Sequence, residues 1–125
     1  MKPDPAHRRE KGRLGEDLAA RFLEEQGLTI VERNVRCSLG EIDMVARDGE
    51  VVVIVEVRSR YGRNLGSPLE SVTLRKQRRL TLLAQWYRKW RCSRSCSMRF
   101  DVVAITWERG EPRFRWIPNA FEARA

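Results

Sequence analysis

The sequence predicts an α/β domain in which a central mixed sheet is flanked by helices, in the order helix, strand, strand, strand, helix, strand. Three observations carry this. Asp48-Gly49 lies between an alternating run and an apolar run, which reads as a tight hairpin. Helical periodicity appears on both sides of that hairpin. The second helix is long enough to cross over to a further apolar strand, which makes that strand parallel to the one before it. With 125 residues, 42% of them apolar, one hydrophobic core suffices without staples.

Residues 1–10 hold two prolines and no periodicity and read as a disordered basic segment, which leaves 11–121 as a single domain. From Lys11 to Gln26, Leu14, Leu18 and Phe22 recur every fourth residue with Ala19 and Leu23 beside them, and Gly27 follows as a stop. Glu16 sits at the border of that apolar arc, where it can reach round the sheet edge or point at water. Leu28 to Arg36 alternates loosely and forms an outer strand.

The hairpin comes next. With Asp48 and Gly49 as its loop, Arg47 faces Glu50, Asp43 lies opposite Ile54 and Glu41 opposite Glu56. Strand side chains repeat every two residues, so Glu41, Asp43, Glu56 and Arg58 share a face, with Asp43 and Glu56 diagonal neighbours roughly 7–8 Å apart. Like charges opposite one another destabilise a sheet, and Val51 to Val55 is an apolar run suited to a strand covered on both faces. Two readings stay open. Glu56 and Arg58 can lie beyond the covered segment, solvated or salt-bridged, or the acids form a site for Mg²⁺ or Mn²⁺, which need clustered oxygen ligands.

Beyond the hairpin, Arg60 to Pro68 is a glycine- and arginine-containing loop. A second helix starts near Ser67 or Pro68 and runs to about Arg91, with Val72, Leu80, Leu83, Tyr87 and Trp90 as its inward stripe. Its first half carries Arg75, Lys76, Gln77, Arg78 and Arg79, gathered at the same end of the molecule as Arg58, Arg60 and Arg63. A charge run can be a solvated helix face, but this concentration also suits phosphate-backbone contact. Met98 to Trp107 is the parallel strand, and Asp101 within it is either one half of a buried pair with an arginine or a site residue. Phe114, Trp116 and Ile117 make a short closing strand, and Trp86, Trp90, Trp107 and Trp116 read as core or edge packing.

Composition narrows the partner. Twenty-five Lys and Arg against 17 Asp and Glu give a net charge of +8, a surface that attracts polyanions. Nucleic acid fits better than a membrane, because the apolar stripes are needed for the core. No apolar run approaches a membrane span, and the first residues show no signal peptide, so the cytoplasm is the expected location. Cys37, Cys92, Cys96 and the single His7 support neither a disulfide framework nor a zinc site; free thiols are expected.

Gly40-Glu-Ile-Asp43, followed after twelve residues by Glu56-Val-Arg58, resembles the metal-binding motif of the PD-(D/E)XK superfamily, whose fold is restriction-endonuclease-like. Together with Gly15-Glu16, Val55-Glu-Val-Arg-Ser-Arg60, Pro68-Leu-Glu70, Arg75-Lys-Gln-Arg-Arg79 and Arg99-Phe-Asp-Val-Val103, the pattern resembles the YraN family of uncharacterised bacterial proteins, related in fold to archaeal Holliday-junction resolvases. The resemblance implies that Asp43 and Glu56 hold the metal, that the Val57 carbonyl completes its protein ligands, and that Glu16 is the helical acid of resolvase-like members. It implies phosphodiester hydrolysis with Mg²⁺ or Mn²⁺, catalysed by Asp43, Glu56 and Arg58. Lys76, Gln77 and the surrounding arginines would steer the strand, DNA is favoured over RNA, and a homodimer is implied by resolvases that work as dimers. One position departs: Arg58 stands where the motif usually has lysine, and arginine stays protonated and planar. Three functions therefore compete: a metal-dependent DNA endonuclease of junction or flap type, a non-catalytic nucleic-acid-binding module, and an interaction protein whose acids form a structural network.

Overall fold

The computed structural model describes residues 5–61, 66–92 and 95–124, with side chains from residue 12 onward. Its elements run α1 (Pro5–Glu25), β1 (Thr29–Cys37), β2 (Gly40–Asp48), β3 (Val51–Tyr61), a 3₁₀ turn (Pro68–Ser71), α2 (Leu74–Arg91), β4 (Met98–Glu108) and β5 (Glu111–Phe121). The five strands lie in sequence order in one sheet. Only β3 and β4 are parallel, joined by the α2 crossover. This is the α/β architecture with a mixed sheet and flanking helices that the periodicities predict, and it is compatible with a restriction-endonuclease-like core.

Each helix covers one face. Ala19 and Leu23 of α1 pack on Met44, Val53, Val55 and Val103, and Leu80 and Leu83 of α2 pack on Ile42, Val52, Ile54 and Val102. The apolar run of β3 alternates between the two cores, which is why it has no polar partner until Glu56. Gly15 lets α1 approach the sheet closely, since a Cβ there would stand 2.6 Å from Ser59 Oγ.

Several boundaries differ from the sequence reading. The first helix begins at Pro5, inside the stretch read as disordered; proline fits the first helical turn, where its missing N–H costs nothing. Residues 1–4 lie outside the described part. The last strand is long rather than short, and Pro112 pairs with Trp107 at the sheet edge, where a proline is tolerated. Trp90 does not face inward; it is 64% exposed.

The hairpin turn shifts the register. Asp48 pairs with Val51, so the loop residues are Gly49 and Glu50, with Gly49 at φ +60. A type II′ turn needs positive φ only at its first central position, so one glycine is enough, whereas the Asp48-Gly49 loop would need it twice. Strand β2 gains one paired residue, Asp48, and β3 gives up Glu50 to the turn. The regular ladder ends at Met44 and Val55, one residue short of Asp43 and Glu56.

Candidate metal and nucleic-acid site

Strand β2 turns at Asp43. Residues two apart on a strand share a face, yet Ile42 joins the core under α2 and Met44 the core under α1. The neighbouring strand does the same, with Val35 in the α2 core and Arg33 paired to Asp17 of α1 at 2.6 Å. Between them stands Asn34, at φ +54. Asparagine tolerates that left-handed conformation, so it is the residue that permits the rotation. Regular β2–β3 pairing stops at Met44, and the Asp43 carboxylate accepts the Val57 amide N–H at 2.9 Å through Oδ2. A strand residue's N–H and C=O leave by the same edge, so the Val57 carbonyl faces the same gap.

Glu56 is 4% exposed, and its two oxygens are unequally served. Oε1 lies 3.5 Å from Lys76 Nζ and 3.8 Å from Arg58 Nε. Oε2 is buried with no hydrogen-bond partner. Burial first, and the Asp43 charge second, push the Glu56 carboxyl up to about 7. Asp43 is raised too, by burial, against the lowering effect of the Val57 N–H and Lys76. Burial disfavours the ionised form of both acids, Glu56 also meets the Asp43 charge and Asp43 the Glu41 charge, and a cation would relieve all of these.

The donor set fits a hard divalent ion. Mg²⁺ is commonly bound through one or two carboxylates, keeps several waters and takes the remaining ligands from phosphate. Asp43, Glu56 and the Val57 carbonyl match that requirement, and the orphaned Oε2 is the observation in favour. Among the described residues no three His, Cys, Asp or Glu side chains group together closely enough to hold a metal by themselves. Glu16 is the third acid expected. Burial and then Asp43 raise its pKa, so it lies within electrostatic reach of the site. Its Oε2 is 3.9 Å from Arg33, and the Asn34 amide, with its nitrogen turned toward the acids, donates to Glu16 Oε2 at 3.1 Å and to Glu41 Oε1 at 2.9 Å.

The basic residues divide into three groups. Arg58, Arg75, Lys76 and Arg79, with Ser71 and Thr73, line a cleft of about 280 Å³ beside Glu56. Thr73 caps α2 by accepting the Lys76 N–H at 3.2 Å, so the positive end of the helix dipole opens onto the same cleft. Arg60 reaches back to the Gly66 carbonyl at 3.1 Å, and Arg78 is exposed on α2. Arg63 lies outside the described residues. Gln77 corrects the expectation: it is buried, donating to the Val72 carbonyl at 3.0 Å and accepting from Arg124 Nε at 2.7 Å, so its amide braces the helix start and is not available to a nucleic-acid strand.

Two further findings were not legible. Lys76, expected only to steer a strand, is the cation nearest Glu56. Arg58 stays within 3.8 Å of Glu56 through Nε but donates from Nη2 to the Ser71 carbonyl at 2.9 Å. No sequence signal ties Lys76 to Glu56; the crossover alone brings them together.

Against known families, residues 15–105 match the model of the uncharacterised protein family UPF0102. The chain belongs to the UPF0102 (YraN) family. A UPF0102 protein of Pelotomaculum thermopropionicum is 48% identical over 112 residues, covering 88% of this chain and 93% of that one. Another from Geobacter metallireducens is 45% identical over 117 residues, covering 93% and 95%. A third, from Pseudomonas paraeruginosa, is 44% identical over 126 residues, covering 96% and 98%. The matched UPF0102 region contains Glu16, Asp43, Glu56, Val57, Arg58 and the basic start of α2.

Elsewhere in this UPF0102 chain, Asp101 is a structural acid. It accepts from Arg99 Nε at 3.0 Å and Nη2 at 3.1 Å, from Trp116 Nε1 at 3.0 Å and from the Asn119 amide at 2.9 Å. None of the three cysteines is in a disulfide. Among the described residues no helix is long and apolar enough to cross a membrane.

Proposed function

We propose that this UPF0102 protein binds DNA and hydrolyses its phosphodiester bonds with Mg²⁺ or Mn²⁺ held by Asp43, Glu56 and the Val57 carbonyl. The observation that carries the reading is the buried Glu56 carboxylate with an unpartnered oxygen, near the half-buried Asp43 and beside a cleft lined by four cations. A divalent ion bound there would polarise the scissile phosphate and lower the pKa of the attacking water. The protein's own groups supply the rest. Lys76, on the Glu56 side of the cleft, meets a phosphate oxygen and offsets its developing charge. Arg75 and Arg79 hold an adjacent phosphate, and Arg58, tethered to the Ser71 carbonyl, fixes the cleft wall.

The test is calorimetric titration of Mn²⁺ into the wild type and Asp43→Asn, with cleavage of branched, flapped and linear DNA measured beside Glu56→Ala. Saturable binding that Asp43→Asn abolishes, together with cleavage that Glu56→Ala abolishes, is the expected result. No metal binding by the wild type would overturn the hydrolase. A second reading, a binding module without catalysis, is favoured by Arg58 at the motif's lysine position. Metal-independent, steeply salt-dependent DNA binding without cleavage would select it.

A further inference from the structure

The outward face of α2 combines charge with exposed aromatic surface. The helix carries seven Lys or Arg and no Asp or Glu in 18 residues. Its buried face consists of Gln77, Leu80, Thr81, Leu83, Ala84 and Tyr87. The opposite face steps by three or four residues through Arg75, Arg79, Leu82 and Trp86 and on to both Lys89 and Trp90, with Trp86 half-buried against the core at the edge of the stripe. Leu82 is 51% exposed and Trp90 64%, more than core packing requires. Each indole on the stripe has a cation at its face: Lys89 Nζ lies 5.1 Å from the Trp90 ring centroid and Arg91 Cζ 5.8 Å from that of Trp86. The stripe starts at the cleft beside Glu56, which Arg75 and Arg79 line.

We infer that this stripe is a single-strand track: an unpaired nucleic-acid arm leaves the basic cleft and runs along α2, stacking a base on Trp90 while Arg79 and Lys89 contact its phosphates. The inference rests on the nucleic-acid half of the function proposed above and narrows its substrate to nucleic acid with a single-stranded arm. Only an unpaired base offers its flat face to an indole, and stacking platforms set among cations are how single strands are gripped without regard to sequence. Duplex, whose base faces are covered, would use the arginines alone. Fourteen residues separate Lys76 from Trp90, which at 1.5 Å per residue is about 21 Å. At the roughly 3.4 Å spacing of stacked nucleotides, this is a track of about six.

The test is fluorescence anisotropy of labelled oligothymidylates of increasing length, in EDTA, with a matched duplex and anionic phosphatidylserine vesicles as competitors. Affinity is expected to rise with length to about six nucleotides and then level off. Trp90→Ala is expected to weaken single-strand binding about tenfold and Trp90→Phe to retain most of it, with duplex binding within twofold throughout. Trp90 is exposed, so its replacement leaves the core intact, and circular dichroism of each variant verifies this. Single-strand binding within twofold of wild type in Trp90→Ala would overturn the inference. So would equal losses for duplex and single strand, or vesicles displacing the oligonucleotide through Trp90. With metal absent, this result separates from that of the hydrolase: a protein that fails to cleave but grips the strand through Trp90 keeps the track and loses the catalysis.

Discussion

Two buried carboxylates sit on neighbouring strands of this sheet, and they have opposite surroundings. Asp101 on β4 is 1% exposed and receives four hydrogen bonds, two of them from one arginine. Glu56 on β3 is 4% exposed, meets two cations only at ion-pair distance, and leaves one oxygen unpartnered. Burial of a charge is costly unless every lone pair is served. One acid therefore holds the fold together, whereas the other is held by the fold at a cost. Stored cost of this kind, beside a cleft lined by cations, makes Glu56 the candidate site acid of the two.

If that contrast is right, removing the two acids has effects of opposite sign. Asp101→Ala leaves Arg99 with Asp48 as its remaining carboxylate and orphans the Trp116 and Asn119 N–H groups, and is expected to cost about 3 kcal/mol in denaturant unfolding. Equal stability in the variant and the wild type would erase the distinction between the two sites. Glu56→Gln, measured without metal at pH 8, is expected to stabilise the protein by about 1–2 kcal/mol, because it removes an ionised group that burial disfavours. A carboxyl whose folded pKa lies above its unfolded value holds its proton more tightly when folded. Its contribution is complete below the unfolded value near 4.5 and is lost as pH rises through about 7. The advantage of the glutamine variant should therefore be absent at pH 4.5 and grow to a plateau above pH 7, read as a difference in Tm.

How much of this was open to sequence reasoning follows from the range of each interaction. Element order was legible because hairpin chemistry and helical periodicity act within a few residues. That Asp43 and Glu56 lie close together was legible from the hairpin, and the Asp43 charge does act on Glu56. The hydrogen bond from the Val57 N–H to Asp43 was not, because it forms where the regular ladder has ended at Met44 and Val55. The rotation at Asn34 and Asp43 requires two strands to turn together, and only Asn34, a residue suited to positive φ, hints at it. Gln77 reads as one more polar residue in a basic run until Arg124, far along the chain, folds back onto it. Asp101 was half legible: an arginine partner was one of its two readings, but the indole and backbone donors that complete its shell come from β5.

Metal binding sharpens the contrast at intermediate scale. If Glu56 must release its proton to serve as a ligand, Mn²⁺ affinity should fall about tenfold per pH unit below 7 and level off above it. Calorimetry in two buffers of different ionisation enthalpy would show the proton leaving. An affinity independent of pH between 5.5 and 8 would mean that the carboxylate binding the ion is not the one whose burial raises its pKa.

The smallest expected effect concerns the cleft wall. Arg75 is exposed and reaches the cleft without touching either acid, so it can contribute charge to a bound strand but no structure to the site. Arg75→Ala should weaken DNA binding uniformly across sequences and reduce the slope of log affinity against log salt by about 1, with Mn²⁺ affinity and fold stability unchanged. Lys76→Met should behave differently. It removes the cation beside Glu56, so it should tighten Mn²⁺ binding while lowering the cleavage rate more than the DNA affinity. If the two variants instead shift salt dependence and metal affinity alike, the cleft and the carboxylate pair act as one diffuse electrostatic patch. The division between a charge that guides the strand and a charge that serves the reacting phosphate then falls.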